Sequence, residues 1–268
     1  MKKIVVIAMM LAPVLAMAQE KKVSEKQQKK AERRERVNQL IKQEEEGALI
    51  FQKQSAFAVK LNTDGYGIFY EHGKYKTITK TNLWWLELGE RKHGKEEKVA
   101  KGIAGLGIVT GNPFVFGKVN NLYNFNIGIG QQRLIGGKGN KNGIAVSLMY
   151  GGGLSMALVK PYYLSVEDGS GGVKDIKYAD DSTTFLDPNK ITGASSFGKG
   201  FGEMKYIPGA HVRAALRFDY GRYNEVLSAV EVGLNATFYS KKIEQMAYNK
   251  QKDFFFNAYV AIVFGRRK

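Results

Sequence analysis

The sequence predicts an all-β protein, an antiparallel eight-stranded transmembrane β-barrel preceded by a short charged helix. Three observations predict it. The chain opens like an export signal, no later apolar run is long enough for a membrane helix, and from Ser55 onward the apolar residues recur with period two.

Met1-Lys2-Lys3 is a short basic start, Ile4 to Leu15 is apolar, and Ala16-Met17-Ala18 before Gln19 is a small-x-small cleavage site. This is the layout of a secretory signal peptide over 1–18, and its apolar core is too short to span a bilayer as a helix. With no cysteine in the chain, a lipid anchor on cysteine and disulfides are both excluded.

Residues 19–54 are expected to form a charged periplasmic helical segment. Over 20–46 nearly every residue is charged or glutamine, and Val37, Leu40 and Ile41 leave one weak apolar stripe at helical spacing. A solvated helical tail and a docking helix for a partner or the barrel rim both fit this pattern.

The barrel is expected over 55–268. Phe57, Val59 and Leu61 alternate with Ala56, Ala58 and Lys60; Tyr66, Ile68 and Tyr70 alternate with Gly67, Phe69 and Glu71. Trp84, Leu86 and Leu88 are set against Trp85, Glu87 and Gly89, and Tyr123, Phe125, Ile127 and Ile129 against Asn124, Asn126, Gly128 and Gly130. The same two-residue rhythm runs through 144–158, 211–220, 229–238 and 254–264.

One face of each run is large and apolar, the other small or polar. A soluble sandwich or lipocalin-like barrel would bury the apolar face; a membrane barrel turns it toward lipid. The second face favours the membrane barrel, because a water-facing strand surface carries Thr, Lys, Glu and Arg rather than so many Gly, Ala and Ser. Connection lengths point the same way. With the N-terminus in the periplasm, the outward links are 62–65, 92–120, 160–208 and 240–252. The inward links are the shorter 72–81, 134–142 and 221–224. Both termini then lie in the periplasm, with the segment after Phe264 trailing the last strand.

Charged residues interrupt the small face, and in a narrow barrel they would pair inside. The expected lumenal polar cluster is Glu87, Arg91, His211, Arg213, Arg217, Asp219 and Glu231. An eight-stranded barrel is filled by side chains, which excludes a wide diffusion porin.

The signal peptide, the charged pre-barrel segment, the eight alternating strands, and the runs Leu134-Ile-Gly-Gly-Lys-Gly-Asn-Lys-Asn142 and Lys160-Pro-Tyr-Tyr-Leu164 together resemble small outer-membrane β-barrel proteins of Bacteroidota, of the OmpA-like and PorT-like class. The resemblance implies a structural or interaction role, with some members acting as accessory components of envelope secretion or assembly machines. It transfers no site residue.

Chemistry finds little support in the sequence. Three histidines and no cysteine leave no metal motif; His93 beside Glu96 and Glu97 reads as a solvated loop. Ser147 and Ser155 face the lumen with no base at a recognisable spacing. Gly102-Ile-Ala-Gly-Leu-Gly107 and Gly136-Gly-Lys-Gly139 lack the Lys-Ser/Thr of a phosphate loop. Asp168, Asp175, Asp180, Asp181 and Asp187 lack the spacing of a calcium loop. No catalytic residue, metal or cofactor is therefore expected. The formal charge of +16 on an exported chain points to outer-membrane lipids, with lipopolysaccharide phosphates outside and anionic lipid headgroups inside, and away from nucleic acid. A narrow pore and a lipid-modifying enzyme are the alternatives to a structural barrel.

Overall fold

The structure is a computed structural model describing residues 29–30, 33–35, 52–77, 79–103, 108–109, 111–139, 143–221 and 225–268. The signal-peptide segment and the Val37, Leu40 and Ile41 stripe lie outside these residues. Within the charged segment, 29–30 and 33–35 are helical and exposed.

Eight strands form one antiparallel sheet: β1 (Lys53–Asn62), β2 (Gly65–Thr77), β3 (Lys80–Arg91), β4 (Asn120–Gly136), β5 (Ala145–Pro161), β6 (Lys205–Asp219), β7 (Val226–Ile243) and β8 (Lys252–Arg267). Each strand pairs with its sequence neighbours, and β1 also pairs with β8, from Gln54 opposite Arg267 to Asn62 opposite Tyr259. The hydrogen-bonded ring is thereby a closed barrel with no free edge. Alternation fixes the register of each strand, since a slip of one residue would exchange the two faces. Ala56, Ala58 and Lys60 are buried inside, for example, while Phe57, Val59 and Leu61 are exposed outside.

The outward faces form a continuous apolar belt. Its members include Ile129 at 72% and Leu154 at 74% exposure. Exposed aromatics lie toward both ends of the strands: Tyr66, Tyr206, Phe238 and Phe254 at one, Trp84, Tyr150, Tyr220 and Phe264 at the other.

Several strands run further than alternation alone predicts. The inward link expected at 72–81 is mostly strand, because β2 continues to Thr77 and β3 begins at Lys80, where polar residues still pair their backbones. Likewise 265–267 is no trailing tail. It completes β8, and Arg267 turns inside to meet Asp219 at 2.5 Å. The link expected over 160–208 narrows to 162–204.

The long links carry structure of their own. Lys98–Val99 pairs with Phe114–Val115, and Tyr163–Glu167 lies between Val173–Lys177 and Ile191–Ala194 in a three-stranded sheet. A one-turn helix, Ser182–Phe185, is capped by the Asp181 carboxylate, which accepts from the Thr183 and Thr184 amides. Phe114, Leu164, Val166, Ile176, Phe185 and Ile191 are buried together, so this loop platform has its own small core.

Glycines on the inner wall make room for one large side chain. A Cβ on Gly128 would sit 2.2 Å from the Trp85 ring, and one on Gly151 2.7 Å from it. Trp85 is itself 1% exposed and has nowhere to retreat. Gly136, on the same strand as Gly128, has nothing within 4 Å. In equilibrium urea unfolding from lipid vesicles, G128A is expected to lose about 2 kcal/mol by overpacking while G136A stays near wild type. Equal stability of the two variants would contradict this packing.

Candidate functional site

The most concentrated chemistry lies in the barrel interior. Arg217 on β6 pairs in register with Glu231 on β7, its Nε donating to Glu231 Oε2 at 2.8 Å. The same guanidinium reaches Glu71 on β2 through two bonds, Nη2 to Oε2 at 2.7 Å and Nη1 to Oε1. In a ring of eight, β2 and β6 are four places apart, so this pair bridges the bore from opposite walls. Such a bidentate fork is the geometry arginine provides and lysine does not.

A second pair lies beside it. Lys60 on β1 donates to Glu87 on β3 at 2.9 Å, reaching across the intervening β2, where Gly67 is the register partner of Lys60 and Phe69 that of Glu87. Its ammonium sits 4.2 Å from the centre of the Tyr259 ring, and the Tyr259 hydroxyl donates to Glu231 Oε1 at 2.5 Å. Arg213 lies against Trp85 (4.3 Å) and Phe69 (4.9 Å), with Glu71 and Glu231 at 3.8 and 3.9 Å. Three cations thus face three carboxylates, and all six residues are buried. Burying any one alone would be costly, whereas here the charges balance, with Arg213 held by the rings and the nearby carboxylates rather than by hydrogen bonds from its Nη atoms.

The seven residues read from the sequence are distributed over three levels. Glu87, Arg213, Arg217 and Glu231 belong to the central network. His211 lies next to it, edge-on to Trp85 with ring centres 5.9 Å apart. Arg91 is at the end bearing the long links, donating to Thr237 at 2.9 Å and facing Asp64 at 3.7 Å. Asp219 is at the other end, between Arg267 and Lys138 (3.5 Å). Alternation does not reveal level along the barrel axis, which depends on register. Lys60 and Glu71 complete the centre; both stand on faces that the sequence shows as inward, Lys60 as the single charge beside Ala56 and Ala58, Glu71 as the single charge beside Gly67 and Phe69. Gln54, which donates to Glu71 at 3.1 Å and accepts from Arg267 at 3.1 Å, links the centre to the short-link end.

Other candidates are occupied structurally. Ser155 donates to Asn126 at 2.6 Å, and Ser147 accepts from Gln132 at 3.2 Å. Asp168 and Asp187 brace their own turns, and Asp175 pairs with Lys199. Hydrogen bonds from Lys177 and then Tyr163 hold the Glu203 carboxyl below the usual carboxylate range. No group of three or more His, Asp or Glu placed to hold a metal occurs among the described residues.

The central network predicts a specific pattern of loss. R217M leaves Glu71 and Glu231 buried with neutral donors, Gln54 and Tyr259, and with Arg213 at 3.8 and 3.9 Å as the nearest remaining cation, and is expected to cost about 3–5 kcal/mol in urea unfolding from vesicles. R217M/E231Q should regain part of that loss by removing one orphaned charge. A cost below about 1 kcal/mol for R217M would mean that these groups are solvated.

No family model matches the chain, and no curated protein does. Among solved structures, Ail, the attachment invasion locus protein of Yersinia pestis, is similar with a TM-score of 0.40 and 10% identity, over 81% of this chain and 99% of that one. Neisserial surface protein A is similar with a TM-score of 0.36 and 10% identity, over 81% and 96%. The N-terminal β-barrel domain of Pseudomonas aeruginosa OprF is similar with a TM-score of 0.34 and 12% identity, over 80% and 98%.

Proposed function

We propose that this chain is an outer-membrane β-barrel acting as a structural anchor, which holds its loop platform outside the cell and serves as an accessory subunit of an envelope secretion or assembly complex. The observation that carries the reading is the pairing of an apolar exterior with a bridged interior. A closed belt of exposed Phe, Val, Leu, Ile and Tyr would be an aggregation surface in water and is the matching surface in lipid. The strands run from 10 to 18 residues, against roughly 9–11 needed to cross tilted. Aromatics near both ends suit the two interfaces.

The links support an orientation. Connections 92–119, 162–204 and 244–251 share one end with the two-residue turn 63–64, and 137–144 and 220–225 are at the other. Long links outside and short ones inside would leave the first and last strand residues, Lys53 and Arg267, on the periplasmic side. Transport is the weaker reading, because the buried Arg217–Glu71 pair joins opposite walls of the bore. Outer-membrane lipids are the immediate partners, with rim lysines facing lipid phosphates.

Reconstituted in planar bilayers, the protein is expected to give no stepwise conductance; regular steps would replace the anchor with a narrow pore. Purified from its native envelope in mild detergent through a tag after Lys268, it should bring down a partner in stoichiometric amount. A lone barrel would remove the accessory role.

A further inference from the structure

A cleft of about 580 Å³ opens where the outer wall of β2–β5 meets the loops. Its floor follows from strand register. Tyr66, Glu90 and Tyr123 are consecutive partners across β2, β3 and β4, and Asn121 on β4 pairs with Lys160 on β5. These residues lie on the outward faces. The next outward rung away from the loops is Ile68–Leu88–Phe125–Met156, and the one after it is Tyr70–Leu86–Ile127–Leu154. A polar cleft therefore stands directly above the apolar belt.

Its lining carries five lysines against two glutamates. Lys118 is neutralised by Glu96 at 2.6 Å, Lys199 by Asp175, and Glu90 accepts the Tyr66 hydroxyl. Lys92, Lys98 and Lys160 make no ion pair among the described residues. Lys92 and Lys98 are exposed, with Lys92 5.2 Å from the Tyr66 ring. Lys160 is different. It is only 3% exposed, its Nζ donates to the Phe197 carbonyl at 2.7 Å, and it lies 4.3 Å from both the Phe197 and Phe201 ring centres. The Glu90 carboxylate of the same cleft acts on it only from beyond ion-pair distance, and a buried cation held so loosely is costly unless an anion completes it.

We propose that this cleft binds the phosphorylated sugar headgroup of an outer-leaflet glycolipid, with the acyl chains lying along the apolar rungs beneath. The inference rests on the membrane reading above and names a ligand for it. Lysine ammoniums meet the phosphates, the Tyr66 and Tyr123 rings offer flat faces to the sugar, and the position on the outer wall selects a ligand already in the membrane.

The test uses the full barrel in phosphatidylcholine nanodiscs, titrated with diphosphorylated lipid A and with its dephosphorylated form, with glucose 1-phosphate as a soluble competitor. Lipid A should bind at least about tenfold more tightly than the dephosphorylated form, and K92Q/K98Q should lose about tenfold of that affinity with an unchanged unfolding midpoint. K160M should weaken lipid A similarly, read alongside the same midpoint. Equal binding of the two glycolipids, or wild-type affinity in K92Q/K98Q, would overturn the proposal. Glucose 1-phosphate binding as tightly as lipid A would overturn the glycolipid assignment in favour of a free phosphosugar. Insertion is scored separately by the heat-dependent gel shift of a folded barrel. A chain that does not insert fails the membrane reading, whereas an inserted barrel without phosphate preference fails only the cleft.

Discussion

Arg217 sits between Glu71 and Glu231, and much of the barrel is arranged around keeping those three charges dry. A closed ring of eight strands has room inside for side chains but little for water, so each interior charge must find its counterpart on another wall. That requirement couples strands that share no hydrogen bonds. Glu71 on β2 and Arg217 on β6 are 146 residues apart in sequence and meet only when the ring is closed. Lys60 and Glu87 tie β1 to β3 in the same way.

The small residues of the inner wall follow from the same constraint. Trp85 and Arg213 stack across the interior, and Gly128, Gly130 and Gly151 give up their side chains to the indole. Polar side chains take both ends, Arg91 with Asp64 at one and Arg267 with Asp219 at the other. Apolar residues fill the spaces between, with Leu122, Tyr239 and Phe255 in one cluster and Ala58, Phe69 and Val263 in another. With the bore committed to this packing, the surfaces left for function are the belt, the loop platform and the cleft where they join.

Both faces of every barrel strand were legible in the sequence, because two-residue alternation needs no knowledge of the partner strand. Four of the six central charges were legible for the same reason. Lys60 and Glu71 were harder to recognise, since a single charge in a short uncharged run acquires meaning only from the residue that meets it across the ring. Gln54 and Arg267 lie beyond the last large apolar residue, where backbone pairing continues but the alternation signal fades. The loop platform was not legible at all. Its strands are two to five residues long, too short for a period to show. The hairpin of Tyr163–Glu167 with Val173–Lys177 has a turn, 168–172, to mark it, whereas Lys98–Val99 and Ile191–Ala194 pair with partners further away along the chain.

The chain contains no cysteine, so single cysteines can report the surroundings of each face without background. The most direct test places them at outward Ile127 and Leu154, inward Asn126 and Ser155, and loop residue Val173, and measures labelling by a membrane-impermeant maleimide after reconstitution. The account predicts rapid labelling at Val173 alone. Labelling at Ile127 and Leu154 would put the belt in water, and labelling at Asn126 and Ser155 would mean that the bore is wet; either result would contradict a lipid-embedded barrel closed by its own charges.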